Sequence, residues 1–198
     1  MITNIIFDYN GIFGPDSDDW NSYREFVSKT GLSDRQLSGI WNNYWPTIST
    51  GKQKLIDFLK EISGKSPNNI SSEEFLKTYL DNMTVYDDVL NFAKELKVKG
   101  YKIFILSNET KEAQDYKVDK FKLQQIFNKI YCSADIGMTK RNPDAFKILV
   151  NNEKLNPEET LFIDDREHNL EMARTFGMKV IFYKNLEQLK EEIKQYID

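Results

Sequence analysis

The sequence predicts an α/β fold: a parallel sheet covered by helices on both faces, with one all-helical insertion after the first strand. Two patterns carry this expectation. Short β-branched and aromatic runs recur along the chain, and from residue 86 onward amphipathic helical patterns separate them, whereas residues 16 to 85 carry helical patterns and no convincing strand.

The first element is "NIIF" (residues 4–7), an apolar run that stops at Asp8 and a glycine-containing turn, as a short buried strand should. The insertion follows. Trp20, Tyr23, Phe26 and Val27 share one helical face, and "SDRQ" from Ser33 reads as a capping box ahead of Leu37, Ile40, Trp41 and Tyr44. Leu55, Phe58, Leu59 and Ile62 form a third stripe, and "SSEE" opens a fourth through Phe75 and Leu76, with Leu80 and Met83 beyond. "GPDSDD" and "NMTVYDD" look like the two hinges, so the expected division is a core of residues 1–15 and 86–198 around an insertion of residues 16–85. In "DDVLNFAKELKVKG", Val89, Ala93 and Leu96 make one stripe, lysines fill the last turn and Gly100 stops the helix. Strands are expected at 101–106, 129–133, 160–163 and 178–183, and Asn142 with Pro143 marks a helix start before Phe146, Leu149 and Val150. Such alternation implies right-handed βαβ units.

Composition narrows the function classes. The 198 residues carry a net charge of −4, which gives no broad cationic surface and argues against nucleic acid as the main partner. Cys132 is the sole cysteine, so an internal disulfide and a multi-cysteine metal cluster are excluded, and a reduced cytoplasmic setting is expected. His168 is the sole histidine, which leaves zinc hydrolysis and Ser-His-Asp chemistry poorly supported. The start lacks a basic n-region, and no segment approaches ~18 uninterrupted apolar residues, so neither export nor membrane spanning is expected.

In an open parallel sheet, ligands bind beyond the carboxyl ends of the strands. Those ends carry Asp8, then Ser107 and Asn108 in "ILSNET", Lys140 in "GMTKRNPDAF", and Asp164 and Asp165 in "LFIDDREHN". Three carboxylates brought together repel one another unless a hard cation and Lys140 neutralise them. Each residue has a plainer reading too: Ser107, Asn108 and Asp165 as helix caps, Lys140 as a surface lysine, and Trp41, Tyr44 and Trp45 as helix packing rather than pocket walls.

These four segments resemble, in order and spacing, the four motifs of the haloacid dehalogenase (HAD) superfamily of hydrolases, and the insertion resembles that family's C1 type of helical cap. The resemblance spans almost the whole chain. It implies a Rossmann-like core, Asp8 as nucleophile, and Mg2+-dependent phosphoryl transfer from a small phosphorylated metabolite through an aspartyl-phosphate. It also implies Asp8, the backbone carbonyl of Asn10, Asp164 and Asp165 as metal ligands, with Ser107, the Asn108 amide and Lys140 on the phosphoryl oxygens. A monomer or weak homodimer in the cytoplasm, without nucleic-acid or membrane partners, is the matching expectation.

One position departs from the pattern. The family's phosphatases place a second aspartate two residues after the nucleophile as general acid/base, and here that position is Asn10. A carboxamide does not exchange a proton at neutral pH, so turnover of alkyl phosphates is expected to fall by roughly 10²–10⁴. Three explanations compete: a phosphatase site in an inactivated, slow or binding-only form; a metal-free dehalogenase, against which Asp164 and Asp165 argue; and a substrate whose leaving group departs without acid assistance. The first, with phosphomonoester hydrolysis as the parent activity, is favoured.

Overall fold

The computed structural model describes residues 1–197. The chain begins with β1 (Asn4–Phe7) and then runs through four helices, α1 (Arg24–Thr30), α2 (Asp34–Ile48), α3 (Leu55–Lys65) and α4 (Ser72–Asp81). From there strands and helices alternate: α5 (Asp87–Val98), β2 (Lys102–Ser107), α6 (Lys111–Lys120), β3 (Lys129–Cys132), α7 (Ser133–Ile136), α8 (Pro143–Glu153), β4 (Thr160–Asp164), α9 (Glu167–Thr175), β5 (Lys179–Phe182) and α10 (Leu186–Glu192). The expected α/β class is the observed one.

The strands form a parallel sheet in the order β3-β2-β1-β4-β5. The chain moves outward from β1 to β3 on one side and returns to build β4 and β5 on the other, so the strand order reverses at β1 and a crevice opens beyond its carboxyl end. Alternate side chains enter two separate cores. Ile5, Phe7, Ile103, Ile105, Leu161 and Ile163 pack with Val89, Ala93 and Leu96 of α5 and Leu189 of α10. Ile6, Phe104 and Phe162 pack instead with Phe146 and Leu149 of α8 and Leu170 of α9.

A third cluster belongs to α1–α4, where Phe26, Leu37, Trp41, Phe58, Leu59, Ile62, Phe75 and Tyr79 close around one another. Tyr23 stacks on Tyr79 with ring centres 4.9 Å apart. The start signals read from the sequence hold: Ser33 and Gln36 complete the capping box, and Ser71 and Asn142 accept the backbone N–H bonds of Glu74 and Asp144. One stripe is different. α1 begins only at Arg24, so Trp20 and Tyr23 precede it; Trp20 is placed by its indole N–H bond to Ser38 Oγ at 2.8 Å and its edge contact with Trp41, not by helical periodicity.

This cluster reaches the sheet layer through α6, whose Ala113 and Tyr116 join it. Ser133 Oγ donates to the Ser49 carbonyl at 2.6 Å, and Gly51, at φ +69°, comes so close to Ala134 that a Cβ would lie 2.3 Å from its carbonyl oxygen. Only glycine permits both the angle and the approach. Among the described residues no helix is long and apolar enough to cross a membrane.

Phe58 and Phe146 are both fully buried, in different clusters. Phe58→Ala and Phe146→Ala are each expected to lower the unfolding free energy by about 3–5 kcal/mol, read from urea midpoints at constant m-value. A loss under 1 kcal/mol at either site would mean that its cluster relaxes around the void.

Candidate active site

The register of the sheet brings the first two acids together. Phe7 lies opposite Ile163, so Asp8 and Asp164 emerge side by side at the ends of β1 and β4. Two carboxylates in that position repel unless a cation lies between them, and Lys140 supplies it: its Nζ is 2.6 Å from Asp8 Oδ2 and 2.6 Å from Asp164 Oδ2, with the lysine only 1% exposed. Lys140 is therefore no surface lysine. Its loop is held from β2, because Asn108 Oδ1 accepts the Lys140 backbone N–H at 2.8 Å.

Asp164 is held on several sides. Beyond Lys140 it accepts from the Arg166 backbone at 2.8 Å and from Asn169 Nδ2 at 3.0 Å to both oxygens. Asp165 is the opposite case: its Oδ1 is buried with no partner, and Oδ2 meets Arg166 Nε at 3.4 Å. It does not cap α9, which starts after Arg166 with no side-chain cap, while the Arg166 backbone N–H itself goes to Asp164 Oδ1, so the cap reading is corrected. Ser107 and Asn108 do not cap α6 either. That task belongs to Thr110, which accepts from Ala113, and Ser107 Oγ is left buried without a partner.

One oxygen each of Asp8, Asp164 and Asp165 lie within 4.8 Å of one another, an all-oxygen donor set of the kind a hard divalent cation takes. Burial pushes the Asp8 carboxyl up to about 8, with Lys140 opposing and Asp164 adding to the rise. Burial, then Asp16, also raises Asp165. Lys140 is pulled down by burial but held above its usual value by Asp164 and Asp8. Burial and the neighbouring acids thus work against the charged forms of Asp8 and Asp165, and a cation beyond Lys140 and Arg166 would relieve them. Gly11 closes it from below: at φ +78° it turns the chain back, and a Cβ there would lie 2.5 Å from Asp165 Oδ2.

Asn10 is 7% exposed and sits in a second buried network. Its Oδ1 accepts from Lys117 Nζ at 2.7 Å, and its Nδ2 donates to Ser17 Oγ at 3.2 Å, Glu109 Oε2 at 3.2 Å and the Asn108 carbonyl at 3.3 Å. Lys117 Nζ lies 2.6 Å from Glu109 Oε2, both side chains being almost wholly buried, and Ser17 Oγ donates to the same oxygen at 2.7 Å. Burial alone would raise the Glu109 carboxyl, but Lys117 and the hydroxyl of Ser17 bring it below its usual value. Sequence reasoning missed Glu109, Lys117 and Ser17. The available signal was Lys117 itself, which falls on the buried stripe of α6 with Ala113 and Gln114, where an unpaired lysine does not belong.

A cavity of about 500 Å³ lies over this floor, walled by Asp8, Asn10, Asn108 and Asn169 below and by Trp41, Asn42 and Trp45 of α2 above. Trp41 and Trp45 therefore combine packing with pocket wall; Tyr44 is not part of that wall and packs on Phe58. Arg141 and His168 stand at its rim, where partial burial and Arg141 hold His168 below its ordinary value. Cys132 is buried, and burial pushes its thiol up to about 12, so it is inert there.

Known proteins resemble this chain in sequence and in fold. The sequence pattern of the haloacid dehalogenase-like hydrolases matches residues 48–183. D-ribitol-5-phosphate phosphatase of Bacteroides thetaiotaomicron is 25% identical, over 98% of this chain and 97% of its own. In fold, the chain is similar to a HAD family enzyme of the same organism crystallised with magnesium and inorganic phosphate (TM-score 0.80, 21% identity, 96% of this chain and 99% of that one). It is also similar to L-2-haloacid dehalogenase from Xanthobacter autotrophicus with chloropropionic acid covalently bound (TM-score 0.68, 18% identity, 98% and 83%). With more than half of its length matched and its sheet-end carboxylates arranged as described, the chain belongs to the haloacid dehalogenase-like hydrolase family.

Proposed function

We propose that the chain hydrolyses a small phosphorylated metabolite through an aspartyl-phosphate on Asp8. The observation that carries this is the floor of the cavity. Asp8 ends the central strand there, beside Lys140 and two further carboxylates, one of which keeps a buried oxygen without a partner. The B. thetaiotaomicron phosphatase and the magnesium and phosphate complex of its fold relative support the same chemistry. Asp8, Asp165, Asp164 and the Asn10 carbonyl would hold Mg2+, which when bound supplies positive charge against the phosphate and the crowded acids.

The chain's own residues perform the rest. The Asp8 carboxylate attacks phosphorus in line, forming a new P–O bond as the ester P–O bond breaks; water then attacks phosphorus and releases the carboxylate. Ser107 Oγ, free of any other partner, donates to a phosphoryl oxygen together with the Asn108 amide and Lys140. Asn10 contributes no proton, so alkyl phosphates turn over roughly 10²–10⁴ more slowly than in a site with a carboxylic acid at that position. Residues 16–85 act as a cap over this floor, with Trp41, Trp45 and Asn42 of α2 facing the substrate.

Phosphate release from an aryl phosphate is expected to require Mg2+ and to fall by on the order of 10⁴ or more in Asp8→Asn, the scale of losing a nucleophile. Hydrolysis of chloroacetate in chelator, with no phosphate release, would instead establish a dehalogenase. Mg2+ at about 100 times its dissociation constant is expected to raise Tm by roughly 5–10 °C in the native chain and not in Asp165→Asn. A rise in Tm with Mg2+ and phosphate but no turnover of any ester would make the protein a binder.

A further inference from the structure

The carboxamide of Asn10 is matched atom by atom to its surroundings. Three acceptors, Ser17 Oγ, the Asn108 carbonyl and Glu109 Oε2, converge on Nδ2, while the Lys117 ammonium faces Oδ1. Turned over, the side chain would set its NH₂ group against an ammonium and its oxygen against a carboxylate. An ionised aspartate would fit one end only, because its second oxygen would face Glu109 and a carbonyl with no hydrogen to offer, so this frame disfavours the charged form that a catalytic base needs. Both charged partners are sealed from water, Lys117 at 2% exposure and Glu109 at 0%, so neither swings away to relieve the mismatch.

We propose that Glu109 and Lys117 are positioning residues that make residue 10 an obligate carboxamide, and that the site therefore takes phosphate compounds whose leaving group departs without a proton from the protein. Acyl phosphates, anomeric sugar phosphates and aryl phosphates form that class. This rests on the phosphoryl-transfer reading of Asp8. In the first step the P–O bond to the leaving group breaks as the Asp8–phosphorus bond forms, and the departing oxyanion takes its proton from solvent. In the second, water oxygen bonds to phosphorus, the Asp8–phosphorus link breaks, and the water's proton passes to solvent. Asn10 is on this account a working part of the site, and the inactivated-phosphatase explanation gives way to the leaving-group one.

The test exchanges the two groups. Asn10→Asp/Glu109→Gln moves the carboxylate from residue 109 to residue 10 and the amide the other way, which conserves the charge around Lys117 and leaves an amide facing an acid. Asn10→Asp alone is expected to lower Tm by on the order of 5–10 °C, since it sets a second carboxylate beside a buried one, and the double variant recovers at least half of that loss. Release of phosphate is then compared between p-nitrophenyl phosphate and a simple alkyl phosphate, with Mg2+. The native chain is expected to favour the aryl ester by at least about 10²-fold, Asn10→Asp to stay within about threefold of that ratio, and the double variant to lower it tenfold or more, as an acid freed from competition with Glu109 begins to protonate the leaving group. That ratio does not respond to a merely structural role. An Asn10→Asp chain with native Tm and a tenfold lower ratio would overturn the proposal. Strictly additive Tm changes would overturn the positioning of residue 10 by Glu109 whatever the kinetics, and phosphate release from none of these chains, at native Tm for the parent, would overturn the phosphoryl reading and the substrate class with it.

Discussion

The contact on which the site depends is the Lys140 ammonium between Asp8 and Asp164. A parallel sheet whose order reverses at β1 brings the ends of β1 and β4 next to each other, and both ends carry an acid. At such separations, and shielded from water, like charges raise the energy by several kcal/mol unless compensated. Lys140 compensates them, Asn108 holds the loop that delivers Lys140, and Asn169 with the Arg166 backbone takes the lone pairs of Asp164 that remain. What is left over is Asp165, with negative charge and an oxygen in search of a partner.

A second buried lysine repeats the device on the other side of the turn. Lys117 neutralises Glu109 and in the same stroke orients Asn10. These two centres differ in kind from the ion pairs along the helix surfaces, such as Lys77 with Asp81 or Lys65 with Glu61, where both partners are largely solvated and the net gain is small. Removing one member of a buried pair leaves a charge stranded; removing a surface partner leaves it in water.

The buried network also ties the helical insertion to the floor of the cavity. Tyr79, stacked in the aromatic cluster of α1–α4, donates its hydroxyl to the Ser17 carbonyl at 2.8 Å, and the Ser17 hydroxyl reaches Glu109. Ser133 ties Ser49, at the end of α2, to the Glu109 backbone. Through both routes the helices above the cavity and the residues below it share hydrogen-bond partners, so the packing of the insertion bears on the placement of residue 10.

The sequence by itself determined the α/β class, the strand positions to within a residue, the caps at Ser33, Ser71 and Asn142, and the acids at the ends of β1 and β4, because these follow from local periodicity and from the rule that parallel sheets bind ligands at their carboxyl edge. Asn10 was legible too, but only through the family resemblance, whose first motif places an aspartate where this chain has an asparagine. Only the tertiary structure decided what Asn10 touches. Glu109, Lys117 and Ser17 come from α6, its leading loop and the hinge, up to 107 positions from Asn10 along the chain, and their meaning lies in donor and acceptor directions that no spacing encodes. A lone lysine or glutamate reads as solvated until packing removes the water, and it is that removal which turns two ordinary charges into the frame around residue 10.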